Sequence, residues 1–345
     1  MTTGTMESYL REQPEVLARQ LEVLPQQIAD ALEVTGATGT SRVLLVGSGT
    51  SHHASRLAAS SFTRPVRALV PTDALHFPGD LVLGPDLLVV GVSQSGRSTG
   101  TRAVLDRARG AGAATLLLTG EPTSGPHPAL DVACGPETVG AKTKGFTATV
   151  LALHLLGRAL DGHGPGPALA AAPEAAAVAL AEAVAPVAAV VADPAPTDVH
   201  IVTWGPWRPV ADEGALKILE TARVPTEVWD VEEFLHGPQR RLHPGSLLVV
   251  VGEAGPLADR AERLADFVVE TGGRALHVVA GGAAGADAAH ARVSLPLGDP
   301  DVARLAAVVP LQLLAVELTR ARGLSPEEEV FPDFYVRLGS KAVTA

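Results

Sequence analysis

Cysteine is nearly absent: Cys134 is the single one among 345 residues. That excludes an internal disulfide framework and a thiolate metal cluster, and it fits a reducing compartment. Aromatic residues make up only 3% of a chain that is 46% hydrophobic, so its cores must be built from Ala, Val and Leu. Positive charge is also short. The formal net charge is −11, the isoelectric point lies near 5.5, and no long Lys/Arg run occurs, which argues against a nucleic-acid surface. The stretch Met1-Thr2-Thr3-Gly4-Thr5-Met6-Glu7 has neither a basic segment nor an apolar core, so no secretory signal is read there. No uninterrupted apolar run reaches membrane-spanning length. Residues 168–192 come nearest, but Pro173, Glu174, Glu182 and Pro186 break them up. The eleven histidines show no metal-protease spacing, and the adjacent His52 and His53 would point apart on a helix. A soluble, cytoplasmic protein with no membrane partner is the expectation.

What is present is an alternation. Residues 6–35 read as a polar helical lead-in, with Pro14 near its first turns. Short apolar runs at 42–46, 66–70, 86–92 and 114–118 then alternate with helical patterns, which argues for a parallel, doubly wound α/β sheet. Residues 162–198 are almost wholly Ala, Pro, Val and Gly and read as a helical connection between domains. The pattern restarts at Val199, with strands expected at 199–204, 226–231, 246–251 and 274–279 and a long helix at 304–322. This looks like duplication of one α/β unit. The final stretch, 324–345, carries three consecutive glutamates, then Phe331-Pro332-Asp333-Phe334-Tyr335, and should pack back across a domain.

Two loops stand out. Val92-Ser93-Gln94-Ser95-Gly96-Arg97-Ser98 follows the run Leu87-Leu88-Val89-Val90-Gly91, and Gly47-Ser48-Gly49-Thr50-Ser51 follows Val43-Leu44-Leu45-Val46. A strand that ends where a helix begins aims free N–H groups and a positive dipole end at one point, which suits an anion. Two such loops at the carboxyl edge of a parallel sheet make a phosphate cradle, with Thr50, Ser51, Ser93, Gln94, Ser95 and Ser98 as its donors. The alternative is a dinucleotide site, for Gly47-x-Gly49 begins that fingerprint and Asp73 lies at the right distance for a ribose contact. Its third glycine is replaced by His52, which favours a phosphosugar over a nicotinamide cofactor.

Acid–base candidates lie in the second half. Glu213, Lys217 and Glu220 share one helical stripe, with Ala215, Ile218, Leu219 and Ala222 expected on the opposite, buried face. Taken alone the stripe is a solvated face with one ion pair; facing a cleft, Glu220 would move a proton between adjacent sugar carbons. His236, followed by Gly237-Pro238, sits at an expected chain reversal where an imidazole can exchange protons near neutral pH. Lys341 is a solvated residue unless the tail folds over the site, where it would meet a carbonyl or alkoxide.

These motifs together resemble the sugar-isomerase (SIS) superfamily, specifically the isomerase half of glucosamine-6-phosphate synthase and its deaminase and deglycase relatives. The likeness runs through Glu12-Gln13-Pro14, Gly49-Thr50-Ser51, Ser93-Gln94-Ser95-Gly96 and Gly140-Ala141-Lys142-Thr143-Lys144-Gly145-Phe146-Thr147. It continues through Glu213-Gly214-Ala215-Leu216-Lys217, Glu220, His236-Gly237-Pro238, Pro310-Leu311-Gln312-Leu313-Leu314 and Lys341-Ala342-Val343-Thr344. The resemblance implies two tandem SIS domains, each a five-stranded parallel sheet flanked by helices, at 36–162 and 198–323, after a lead-in at 1–35. The connection is then 163–197, and 324–345 is a tail folding over the active site. It implies that Thr50, Ser51, Ser93, Gln94, Ser95 and Ser98 hold the phosphate, that Glu220 shuttles a proton between C1 and C2, and that His236 opens the ring from a neighbouring subunit of a homodimer. Glu213 and Lys217 would support the same site, and Lys341 would match the imine-forming tail lysine.

Four departures shape the expected chemistry. No glutaminase segment with its cysteine nucleophile is seen in this sequence, Arg97 stands where an acidic residue is usual, and Lys142 replaces a small hydroxylated residue. The tail also lacks the synthase's Pro-Arg-Asn motif. The expected activity is conversion of glucosamine 6-phosphate and water to fructose 6-phosphate and ammonia, without a metal or organic cofactor. The alternatives are a fructosamine-phosphate deglycase, a synthase subunit fed by a separate glutaminase, and a non-catalytic sugar-phosphate sensor.

Overall fold

The computed structural model describes residues 4–121, 125–282 and 289–342. Val343 and Thr344 of the terminal motif, and residues 1–3 of the N-terminal stretch, lie outside them. The chain opens with α1 (Met6–Thr35) and then divides into two compact units, each built on its own sheet.

One unit comprises residues 15–138, 144–170 and 329–345. Its elements are β1 (Arg42–Val46), α2 (Thr50–Ala58), β2 (Val66–Leu69), α3 (Pro71–His76), β3 (Leu87–Val92), α4 (Thr99–Gly110), β4 (Ala114–Thr119), β5 (Ala129–Asp131), α5 (Lys144–Leu160) and α6 (Gly166–Ala170). The strands form a wholly parallel sheet in the order β2-β1-β3-β4-β5. The central strand β3 is buried along its whole length, as a strand covered by helices on both faces must be. On one face, Leu44, Val46, Leu87 and Val89 pack with Val104, Leu105 and Ala108 of α4. The Gln20 amide of α1 donates to the Val132 and Ala148 carbonyls at 2.6 and 2.9 Å, tying the helix to the loop after β5 and to α5.

The other unit comprises residues 1–14, 139–143 and 171–328. It contains α7 (Ala172–Val190), β6 (Asp198–Thr203), α8 (Arg208–Thr221), β7 (Thr226–Asp230), α9 (Val231–Leu235), β8 (Ser246–Glu253), α10 (Pro256–Glu270), β9 (Arg274–Ala280), β10 (Ala291–Leu295) and α11 (Pro300–Ala321). The sheet order is β10-β9-β8-β6-β7, again all parallel. Read from the second strand of each unit, both sheets follow one winding order, so the duplication seen in the sequence is a duplication of topology. Gln13 on the first turns of α1 is anchored here, its amide donating to Gln312 Oε1 at 2.8 Å, while Gln312 donates to the Thr143 carbonyl at 3.2 Å.

Two strands escape the sequence pattern. β5 has only three residues, too few for a period, and the Arg292 and Ser294 side chains interrupt the apolar run of β10. Two helices are of membrane-spanning length and apolarity, α7 and α11. α11 is almost wholly buried as the core helix of its unit, and α7 packs against it through Ala176, Ala179, Ala183 and Val187. The tail ends in α12 (Phe334–Arg337). Two parts of the tail make contacts: the Met6 N–H donates to Glu327 Oε1 at 2.9 Å and Arg223 pairs with Glu328, while residues 339–342 dock by backbone hydrogen bonds; between them Phe331, Phe334, Tyr335 and Leu338 stay exposed.

Candidate active site

In the first sheet, the winding direction reverses between the neighbours β1 and β3, and the two hydroxyl-rich loops leave the carboxyl ends of these strands. Such a switch point opens a crevice where doubly wound folds take ligands. Gly47 makes the approach possible: a Cβ there would sit 2.8 Å from Ser51 Cβ and 3.1 Å from the Val92 carbonyl oxygen. Thr50 and Ser51 open α2. Ser98 caps α4, its hydroxyl accepting from the Thr101 N–H at 3.5 Å and the Thr101 hydroxyl at 3.1 Å.

The second loop is internally braced. The Ser93 carbonyl accepts the Gly96 N–H at 2.9 Å, and the Ser93 and Ser95 hydroxyls accept from the Ser98 and Arg97 N–H groups at 3.4 Å. Gln94 is turned inward: its carbonyl accepts the Gly120 N–H at 2.9 Å, and its amide donates to Cys134 Sγ at 3.2 Å. Burial pushes the Cys134 thiol pKa up, so this cysteine is a packing group. Arg97 adds a cation to the rim, and its Nε is buried with no hydrogen-bond partner among the described residues.

Lys341 lies beside this loop. Its backbone forms an antiparallel bridge with Ser98, the Ala342 N–H donates to the Arg97 carbonyl at 3.0 Å, and the Thr99 hydroxyl donates to the Gly339 carbonyl at 2.8 Å. The Lys341 ammonium stands 4.1 Å from the centroid of the Tyr335 ring, a cation–π contact.

The remaining predicted residues belong to the other unit. The solvated-face reading of α8 is overturned: Glu213 and Lys217 are fully buried, whereas Leu219, expected inside, is 46% exposed. The cause is α11, which packs on α8, with the Thr221 hydroxyl reaching the Ala315 carbonyl of α11 at 3.5 Å. Lys217 Nζ lies 3.3 Å from Glu213 Oε1 and 2.6 Å from Glu220 Oε2. Burial alone would neutralise this amine, but the two carboxylates outweigh it and hold the Lys217 pKa above its ordinary value. Two carboxylates share one ammonium, and Glu220 is the one whose side chain reaches the surface, at 35% exposure. The array can therefore hold Glu220 in place while leaving an oxygen free to take and return a proton.

His236 closes α9 and is exposed on the turn before Gly237, its N–H donating to the Glu233 carbonyl at 3.1 Å. Phe234, buried two residues earlier, anchors the short helix that presents it. Sequence reasoning missed Trp204 and Gly252, which mark the corresponding switch point of the second sheet. A Cβ on Gly252 would fall inside the Trp204 ring, so the crevice between β6 and β8 is filled by an indole. The signal available was the tryptophan itself, one of three in the chain, at a strand end.

The SIS domain profile matches residues 38–159, the span that carries both loops. A Streptomyces coelicolor protein, AgaS, named as a candidate D-galactosamine-6-phosphate deaminase, is 31% identical over 338 residues, covering 89% of this chain and 86% of that protein. The chain belongs to the SIS-domain family. The glutamine–fructose-6-phosphate aminotransferase (isomerizing) of Leifsonia xyli is 29% identical over 87% of this SIS-family chain and 52% of that enzyme; the chain thus spans about half the length of the first curated relatives it matches. Among solved structures, the C-terminal domain of glucosamine-fructose-6-phosphate aminotransferase from Francisella tularensis superposes with a TM-score of 0.78 at 20% identity, over 94% of this chain and 97% of that one. That last likeness establishes the shared fold.

Proposed function

We propose that this SIS-family protein is a phosphosugar isomerase that also deaminates, converting glucosamine 6-phosphate and water to fructose 6-phosphate and ammonia. The observation that carries this reading is the buried Glu213–Lys217–Glu220 array, which leaves one carboxylate oxygen at the surface. A protein that only senses a sugar has no use for a lysine buried at full desolvation cost to position a proton acceptor.

In this scheme the phosphate lies on the Thr50, Ser51, Ser93, Ser95 and Ser98 hydroxyls and the two helix N-termini, with Gln94 flanking. His236, lent by the second subunit of a homodimer, protonates the ring oxygen as the anomeric hydroxyl loses its proton. Glu220 removes the C2 proton from the open aldehyde and returns it to C1, while O1 gains a proton and the amine nitrogen loses one, giving the C2 imine and a C1 hydroxyl. Water adds to that imine carbon, ammonia leaves with the amine nitrogen, and the ketone remains. Lys217 and Glu213 hold Glu220 in place, and Lys341 assists at the carbonyl. No metal or organic cofactor enters the balance of atoms.

A second reading is supported by Arg97. Its buried, unpartnered Nε suits a second anion, such as the carboxylate of an amino acid carried on the sugar nitrogen, which would make the protein a fructosamine-phosphate deglycase. The test is ammonia release with fructose 6-phosphate detected in parallel, from glucosamine 6-phosphate and from fructosamine 6-phosphates, with Glu220→Gln beside the parent. Turnover of the first substrate that vanishes in the variant supports the deaminase. Turnover of the second alone moves the assignment to the deglycase. Thermal stabilisation by both sugars without any turnover sinks the enzymatic reading.

A further inference from the structure

Away from the acid–base array, at the opposite edge of the second sheet, two histidines are buried side by side. His277 is on β9 and His290 stands just before β10; both rings are hidden from solvent, 5.7 Å apart between centroids. Three of their four ring nitrogens have no hydrogen-bond partner among the described residues: both of His277, and Nε2 of His290. Buried polar atoms left unpaired carry their full desolvation cost, so three in one place call for a missing partner. The fourth nitrogen, His290 Nδ1, pairs with Asp266 Oδ1 at 2.8 Å. A carboxylate oxygen accepts, so Nδ1 carries the N–H of that contact and Nε2 keeps its lone pair.

A carboxylate completes the group. Glu262 lies one turn before Asp266 on α10, and one of its oxygens falls with a nitrogen of each histidine inside a set whose members all lie within 4.8 Å. We propose that His277, His290 and Glu262 bind one divalent transition-metal ion, zinc being the ion the donors suit best. Two imidazoles and a carboxylate are a zinc donor set, and three protein ligands leave a fourth position for water. Asp266 then takes the place of the outer carboxylate that orients a metal-bound imidazole.

The opposing feature is Arg292, which pairs with His277 in the β9–β10 register and donates to Glu262 Oε1 at 2.8 Å. The carboxylate would therefore be shared between a guanidinium and the metal, which lowers affinity. The ion would fasten α10 to β9 and to edge strand β10. Its role is structural, and it is independent of the phosphosugar chemistry proposed above.

The full chain, stripped with a chelator and dialysed, is titrated with Zn2+ alone against a chromophoric chelator, and separately with Co2+ to read the visible bands of a tetrahedral site. The expected result is one ion per chain, a higher melting temperature with Zn2+, and loss of both in His290→Gln. Asp266→Asn should weaken binding about tenfold, as outer carboxylates do. Because His290 is buried and its variant risks misfolding, Glu262→Gln on the half-exposed face of α10 provides the second reading and should also lose the Co2+ bands. Absence of stoichiometric binding in the parent chain overturns the site, as does Zn2+ affinity that is the same in Glu262→Gln.

Discussion

The two sheets share one winding order but treat their switch points in opposite ways. Between β1 and β3 the chain places glycine, serine and threonine, and Gly47 lets the loops approach without filling the crevice. Between β6 and β8 it places Trp204 against Gly252, and the same crevice is closed by an aromatic ring. The second unit carries its ionisable cluster instead on α8, where Lys217 is buried between two glutamates. One frame thus carries two different fillings: the open hydroxyl-rich corner belongs to one unit and the buried ionisable helix to the other.

The largest effect expected is on chemistry. Glu220→Gln should lower turnover by about 10²–10⁴-fold while leaving the melting temperature within a degree or two, in keeping with loss of a general acid–base. Steady-state kinetics with ammonia detection checks it, and a variant with parental turnover would remove α8 from the mechanism.

Lys217→Met strands Glu213 in the interior and should cost about 3–5 kcal/mol in urea unfolding. Adding Glu213→Gln should recover much of that loss, which a purely steric defect would not allow. The pH dependence follows from the same array. Below 10.5 Lys217 is protonated in both states and its contribution is complete; above 10.5 the unfolded chain releases the proton first, so stability falls as pH rises. The Lys217→Met variant should lack that alkaline decline.

The glycine pair probes the comparison directly. Gly252→Ala drives a methyl into the Trp204 ring and should cost about 1–3 kcal/mol of stability without weakening phosphate binding. Gly47→Ala should do the reverse, displacing the Ser51 and Val92 backbone and abolishing stabilisation by inorganic phosphate or a sugar phosphate. Equal effects of the two changes on ligand binding would end the idea that only one switch point is used. The smallest effect is Ser98→Ala, which should raise KM about tenfold through one lost hydrogen bond to a charged ligand, with turnover nearly unchanged.

Much of this was legible in the chain itself. Unbroken apolar runs such as Leu87 to Val92 can only be strands buried on both faces, and loops of glycine and hydroxyls after two of them can only be turns into helices. Local composition carries that information because a parallel strand's environment is uniform along its length. β5 and β10 were missed for the converse reason, one being too short and the other broken by the polar Arg292 and Ser294, of which Arg292 finds its partner, Glu262, on α10.

The amino-acid sequence by itself determined the alternation of elements, the two repeated units and the positions of the hydroxyl-rich loops after β1 and β3, since each depends on neighbours within a few residues. Only tertiary structure decided that the Glu213–Lys217 stripe lies inside, that Trp204 closes the second crevice, and that His277 and His290 face one another. A helical wheel places residues on a face, but which face is covered depends on α11, about a hundred residues away, and no local pattern encodes that partner.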